Sequence, residues 1–324
     1  MNNILLTSAG RRVSLLRCFQ RDLRERELSG AVFATDLAPE RSAACQVADK
    51  AFAVPRVTDP SYADTLLELC LRENVRMVVP TIDTELLVLA QNRKQFREQG
   101  VEVIISDLPL IQQCRDKRKT HDLFASHGLA CPEVFSEDTL QYPCFAKPID
   151  GSCSVGLHLV SSADHWPSNV RHNPNYLICA YIDPQSHDEY TVDMFYSAAG
   201  DLLCVVPRQR LQVRGGEVSK GKTVRHALIG EVERSLGQLP GARGCLTLQV
   251  FVHKEEGTVL GIEINPRFGG GYPLTSQAGA RYTDWLVGEV FAGETIAPCN
   301  AWQHDLVMLR YDEGIFRHED SAAS

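Results

Sequence analysis

The chain has no basic excess. Its 33 Lys and Arg residues stand against 41 Asp and Glu, a net charge of −8. That disfavours a nucleic-acid binder, which needs cations facing the phosphate backbone. No apolar run approaches the roughly 20 residues of a membrane helix. The short run Ile4-Leu5-Leu6 is followed, not preceded, by basic residues, which does not suit a secretory signal. The expected setting is cytoplasmic, with no membrane and no nucleic-acid partner. The 11 cysteines include no Cys-x-x-Cys pair, and their number is odd. Cys18, Cys70, Cys179 and Cys245 lie in apolar or helical surroundings, so free thiols are expected and a zinc site is not. Also lacking are a Gly-Lys-Ser/Thr phosphate loop and a complete Gly-x-Gly-x-x-Gly, since Ser8-Ala9-Gly10-Arg11 only resembles one. No Ser-His-Asp or Cys-His arrangement is evident.

What is present is ordinary for a globular chain: 324 residues, 44% hydrophobic and 23% charged, enough for two or three domains. The first third alternates apolar runs with helical periodicity. Strands are predicted at 4–7, 31–35, 51–54, 77–79 and 101–105, and helices at 12–27, 62–73 and 84–99. Such alternation implies a parallel sheet with helices on both faces. Ligands sit at the carboxyl ends of its strands, which here means 8–12, Asp36 and 81–85. From residue 111 the texture changes. A helix is predicted over 115–127, a strand ends at Lys147-Pro148, and a polar glycine loop follows over 150–156. Beyond Asn175 the pattern is that of an antiparallel sheet, with strands at 176–180, 189–196, 202–207, 244–253 and 259–265.

Three local patterns carry chemistry. In Gly261-Ile262-Glu263-Ile264-Asn265-Pro266-Arg267, residues two apart share a strand face. Glu263 and Asn265 therefore point together, with Ile262 and Ile264 turned to a core. Two oxygen ligands side by side suit a magnesium ion bound to phosphates, and a half-buried strand with a polar outer face fits equally well. The strand 246–251 alternates in the same way, so hairpin pairing with the first would add Gln249 as a third oxygen ligand; alone, Gln249 is an unremarkable surface position. In Phe145-Ala146-Lys147-Pro148-Ile149-Asp150-Gly151-Ser152-Cys153-Ser154-Val155-Gly156, a lysine at a strand end precedes a small polar loop whose N–H groups could meet phosphate oxygens. A flexible surface turn is the plain alternative. A further stretch concentrates Arg208, Arg210, Arg214, Lys220 and Lys222 without the interleaved aromatics of a nucleic-acid surface.

In this order the elements resemble the ATP-grasp superfamily, in particular the branch like the large subunit of carbamoyl phosphate synthetase. The resemblance covers nearly the whole chain, and Glu-x-Asn-Pro-Arg after Gln249 is its most specific part. It implies an α/β chain, with a Rossmann-like pre-ATP-grasp domain (1–114) followed by an α+β ATP-grasp fold in two subdomains (115–180 and 181–324). By resemblance, Lys117, opening a helix at Asp116-Lys117, holds ATP phosphates, with Arg118 as competitor. Lys147 takes the α-phosphate and the adenine edge, and the loop with Ser152 and Ser154 folds over the β- and γ-phosphates. Ala180, Tyr181 and Ile182 form the adenine hinge, where families usually have Glu or Gln at position 179 or 180. Glu189 binds the ribose. Gln249, Glu263 and Asn265 hold Mg2+, with Mn2+ as a substitute, and Arg267 steadies the moving phosphoryl group. Arg210 and Lys220 belong to the cations beside the cleft. The implied activity is ATP-dependent ligation of an amino-acid-like carboxylate to an amine or similar nucleophile, through an acyl phosphate, with release of ADP. Rivals are a carbamate- or carboxyphosphate-handling kinase and a non-catalytic nucleotide-binding regulator. The expected partners are small molecules, with a homodimer left open.

Overall fold

The computed structural model describes residues 1–150 and 155–318. The apolar runs of the first third form β1 (Asn3–Thr7), β2 (Val32–Asp36), β3 (Lys50–Ala53), β4 (Val75–Pro80) and β5 (Glu102–Val103). They make a parallel sheet of order β3-β2-β1-β4-β5. Near-continuous burial along β1 and β4 is what a strand covered on both faces requires. The covering helices are α1 (Val13–Glu25), α2 (Ala43–Val47), α3 (Tyr62–Arg72), α4 (Asp83–Glu98) and α5 (Leu108–Arg115).

The helix expected over 115–127 is present but starts two residues later, and a separate helix, α5, runs up to Arg115. Asp116 takes extended backbone angles, and its carboxylate accepts from the Arg118 amide, ending α5 and capping α6 (Lys117–Ser126). A side chain that satisfies an orphan N–H favours a fresh helix start over a continuous helix. The next strands are β6 (Cys144–Pro148), β7 (His158–Val160) and β8 (Tyr176–Ala180), a small antiparallel sheet of order β7-β6-β8.

The large antiparallel sheet contains β9 (His187–Tyr196), β10 (Leu202–Arg214), β11 (Glu217–Thr223), β12 (Gly244–His253), β13 (Val259–Asn265) and β14 (Val307–Leu309), in the order β13-β12-β9-β10-β11-β14. Alternation splits its side chains between two cores. Val192, Met194, Leu246, Leu248, Val250 and Ile264 pack on one face with α6 and α7 (Leu228–Leu236). Phe195, Val206 and Cys245 on the other join α1, β1, α8 (Tyr272–Gln277) and α9 (Tyr282–Val287). Burying a medium apolar side chain contributes about 1.5–3 kcal/mol, so this shared core ties the parallel domain to the sheet beside it. The strand expected at 202–207 runs on to Arg214 and folds back at Gly215-Gly216. Their φ values of 57° and 78° suit glycine in a tight hairpin turn. The cation-rich stretch is therefore a long hairpin. Among the described residues no helix is long and apolar enough to cross a membrane, and the ten described cysteines are free.

Candidate active site

The hairpin β12–β13 pairs in the expected register. Gln249 stands directly opposite Glu263, and Thr247 opposite Asn265. All four share the sheet face that carries Glu189, Thr191 and Asp193 on β9. Asn265 Nδ2 donates to Glu263 Oε1 at 2.9 Å. Ile264 is buried beneath them, while Ile262 is only half-buried. After Pro266 the chain turns, and Arg267 reaches across to the parallel domain. Its Nε and Nη2 donate to the two oxygens of Asp83, at 2.9 and 2.5 Å.

These groups line a cavity of about 470 Å³ at the carboxyl ends of β1 and β4. That volume suits a small-molecule site. Six arginines face it (Arg11, Arg12, Arg208, Arg210, Arg267 and Arg310) against the carboxylates Asp83, Glu217 and Glu263. Arg208 is fully buried and donates from Nε and Nη2 to Asp193, both at 2.9 Å. Its guanidinium presses on the glycine loop: a Cβ at Gly271 would stand 2.0 Å from Nη1, so only glycine fits without moving the arginine. Arg210 pairs with Glu189 at 3.0 Å and donates to Thr191 Oγ1 and the Gly216 carbonyl, both at 3.2 Å. Burial raises the Glu189 carboxyl above its usual range; Arg210 opposes that shift and Glu263 adds to it.

A small recess continues the cavity past Glu263 and Asn265, and Lys117, Asp83 and Asp150 line it. Burial lowers the Lys117 ammonium, with Glu263 opposing. Arg118, its competitor, is exposed and bound to Asp116 at 2.7 Å. Lys147 is buried on β6, its Nζ 3.4 Å from His121 Nε2. Burial and that neighbouring cation push His121 down to about 4. A neutral ring accepting at Nε2 carries its proton on Nδ1, a buried nitrogen with no hydrogen-bond partner among the described residues.

The structure therefore brings together Gln249, Glu263, Asn265, Arg267, Arg210 and Lys117. Lys147, Ala180, Tyr181, Ile182 and Glu189 do not line the cavity; the Ala180 amide donates to the Glu133 carbonyl at 2.8 Å. Ser152 and Ser154 lie outside the described residues. Lys220, expected beside the cleft, is exposed on β11 and does not line the cavity. In the sequence 8–12 and 81–85 stood out only as strand ends; Arg11 and Arg12 there approach Glu217 and Gly270, and Asp83 pairs with Arg267. Sequence reasoning missed Glu217 and Arg310, for which no local pattern exists. It also missed the role of Glu85, fully buried, which accepts from the Thr81 and Ile82 amides (2.7 and 3.1 Å), Ser8 Oγ (2.8 Å) and Tyr62 Oη (3.0 Å). Those four bonds hold Ser8, at a φ of 49°, and the Asp83 loop in place.

A cation at Gln249, Glu263 and Asn265 would meet one carboxylate and two amide oxygens. Among the described residues no group of three or more His, Cys, Asp or Glu could hold a metal. The Gln249, Glu263 and Asn265 oxygens would suit a hard divalent ion that shares its remaining positions with phosphate oxygens.

Residues 4–104 match the PylC-like N-terminal domain, and residues 172–311 match the family described as ATP-grasp in the biosynthetic pathway with Ter operon. The second match marks the C-terminal part of the chain as ATP-grasp. The fold is similar to that of N5-carboxyaminoimidazole synthetase from Staphylococcus aureus, solved with ADP: TM-score 0.72 and 14% identity, over 95% of this chain and 80% of that one. It is also similar to the biotin carboxylase domain of Hydrogenobacter thermophilus 2-oxoglutarate carboxylase, solved with MgADP and bicarbonate (0.69, 15%, 94% and 73%). A third such structure is an L-amino acid ligase from Bacillus licheniformis (0.66, 16%, 90% and 74%). No curated protein matches the chain in sequence.

Proposed function

We propose that this protein is an ATP-dependent, ADP-forming ligase that joins a carboxylate to an amine through an acyl phosphate. The observation that carries the reading is the convergence of Gln249, Glu263, Asn265 and Arg267 on one cavity, with Lys117 in the recess beside Glu263. Magnesium, where bound, would be held by the three side-chain oxygens and would offset phosphate charge. Lys117 and Lys147 hold phosphate oxygens of the nucleotide. Arg267 is positioned to exchange Asp83 for the oxygens of the transferring phosphoryl group, and its planar fork can hold two of them. Arg210, at the foot of the β10–β11 hairpin, holds the substrate carboxylate whose oxygen attacks the γ-phosphorus. The amine then displaces phosphate from the acyl carbon. This chemistry requires that water be kept from the acyl phosphate, which it would otherwise hydrolyse.

The test is ADP release across paired acids and amines, with products weighed by mass spectrometry and the acid labelled with oxygen-18. Label in the released phosphate is expected. Product without that label, accompanied by AMP and pyrophosphate, would replace the acyl phosphate with an adenylate. The carboxylase neighbour was solved with bicarbonate, which places bicarbonate in the acid set.

A further inference from the structure

The ligase reading assigns the part of the cavity where Glu263, Asn265 and Arg267 stand, and leaves another part of its wall without a role. There Arg11, Arg12 and Arg310 face a single carboxylate, Glu217. Arg310 takes Glu217 at 3.0 Å, and the exposed Arg11 lies 3.6 Å from it. Arg12 has no carboxylate within ion-pair distance among the described residues. Its one side-chain hydrogen bond there is to the Thr81 carbonyl, at 3.2 Å. Its Nη1 and the Glu217 carboxylate both lie against Gly270, where a Cβ would stand 3.1 and 3.2 Å from them. This half-buried guanidinium is held against glycine, with the Glu217 and Asp83 carboxylates near it but neither in an ion pair with it. Burial, together with Arg267 nearby, lowers it to about 10, with Glu217 and Asp83 opposing. The first turn of α1, with no acidic residue and no capping side chain, presents further donors on the same side.

From these residues we infer that Arg12 and Arg310 form a subsite for an anionic group, carboxylate or phosphate, on the second substrate. This rests on the ligase reading for its purpose, not for its existence. A guanidinium fork meets either anion bidentately. Three guanidiniums against one carboxylate leave the wall with charge to accept one or two negative charges. The ligase would then favour nucleophiles with a remote anionic group, such as an amino acid with its own carboxylate or a phosphorylated amine, over plain amines.

The experiment titrates the whole protein, saturated with MgADP, with inorganic phosphate and separately with glutarate, by calorimetry. Wild type, Arg12→Met, Arg310→Met and the surface control Lys94→Ala are compared. Saturable binding of one anion is expected, weakened at least tenfold by either arginine change and less than twofold by the control. The better-bound probe says whether the natural group is phosphate or carboxylate. No saturable binding, or equal binding in Arg12→Met, overturns the subsite. So does a tenfold loss of ADP affinity in Arg12→Met, since the arginine would then serve the nucleotide. Anion binding without ADP formation from any acid–amine pair would sink the ligase reading alone. ADP formation with no preference for anionic amines and no effect of Arg12→Met would sink the subsite alone.

Discussion

Replacing Arg208 by Met removes one half of a fully buried ion pair while keeping the length and apolar surface of the stem. Asp193, wholly buried, then loses two charge-assisted bonds of 2.9 Å. It keeps a 2.5 Å bond from Thr275 Oγ1 and a marginal 3.5 Å contact from Thr247 Oγ1. Breaking a buried pair from one side costs about 3–5 kcal/mol because the remaining charge is uncompensated. The surviving Thr275 bond places Arg208→Met near the lower end, about 3 kcal/mol. Urea unfolding followed by circular dichroism at neutral pH measures it. The sharper check is the sign of a second change. Asp193→Asn should destabilise the wild type, which loses a partner for Arg208, yet stabilise Arg208→Met, which loses an unpaired buried charge. A loss under 1 kcal/mol in Arg208→Met, or the same destabilisation by Asp193→Asn in both backgrounds, would refute the reasoning. Because Arg208 also abuts Gly271, the single variant should loosen the glycine loop and raise KM as well.

Glu263→Gln or Asn265→Ala should cut turnover on the order of a hundredfold or more while leaving the unfolding midpoint nearly unchanged, because each removes an oxygen from a cation worth several kcal/mol to the transition state; wild-type rates would end the assignment. Lys147→Ala should weaken binding of a non-hydrolysable ATP analogue more than that of the acid, by calorimetry, and an unchanged nucleotide constant would mean the nucleotide lies elsewhere. The depressed His121 predicts a pH effect on stability. Between its ordinary 6.5 and about 4 the unfolded chain binds a proton that the folded chain does not. Stability is therefore full above 6.5 and falls with pH through that window, by up to about 3 kcal/mol. His121→Gln should flatten that slope in urea titrations at successive pH values, and parallel slopes would contradict it.

The alternation of β1 through β4 with their helices, and the Gln249, Glu263 and Asn265 set, were legible in the sequence because both depend on local periodicity. A strand repeats every two residues, and a strand ending in Glu-x-Asn-Pro-Arg names its own face. The hairpin partner of Glu263 followed from a second strand with the same alternation, and β12 and β13 kept the expected bounds. Lys220 shows where the local rule stops. In β10–β11 the pairing slips between Arg210 and Gln212 and again between Gln212 and Val213. Gly221 stands opposite Arg210, so Lys220 beside it turns to the other face of the sheet. The cations of that stretch consequently part company: Arg208 and Arg210 face the cavity and Lys220 faces solvent. Arg12 and Arg310 share a wall because β14 closes the far edge of the sheet over the end of α1. Arg267 finds Asp83 across 184 positions of chain. No short-range signal encodes such meetings, since they depend on how the two domains pack through Phe195, Val206, Phe268 and Tyr272 against α1. Local alternation was enough to set most of the elements and the oxygen face that could hold a cation. Which charges oppose that face depends on the packing of distant elements, because a charge in a cavity is set by what folds over it rather than by its neighbours along the chain.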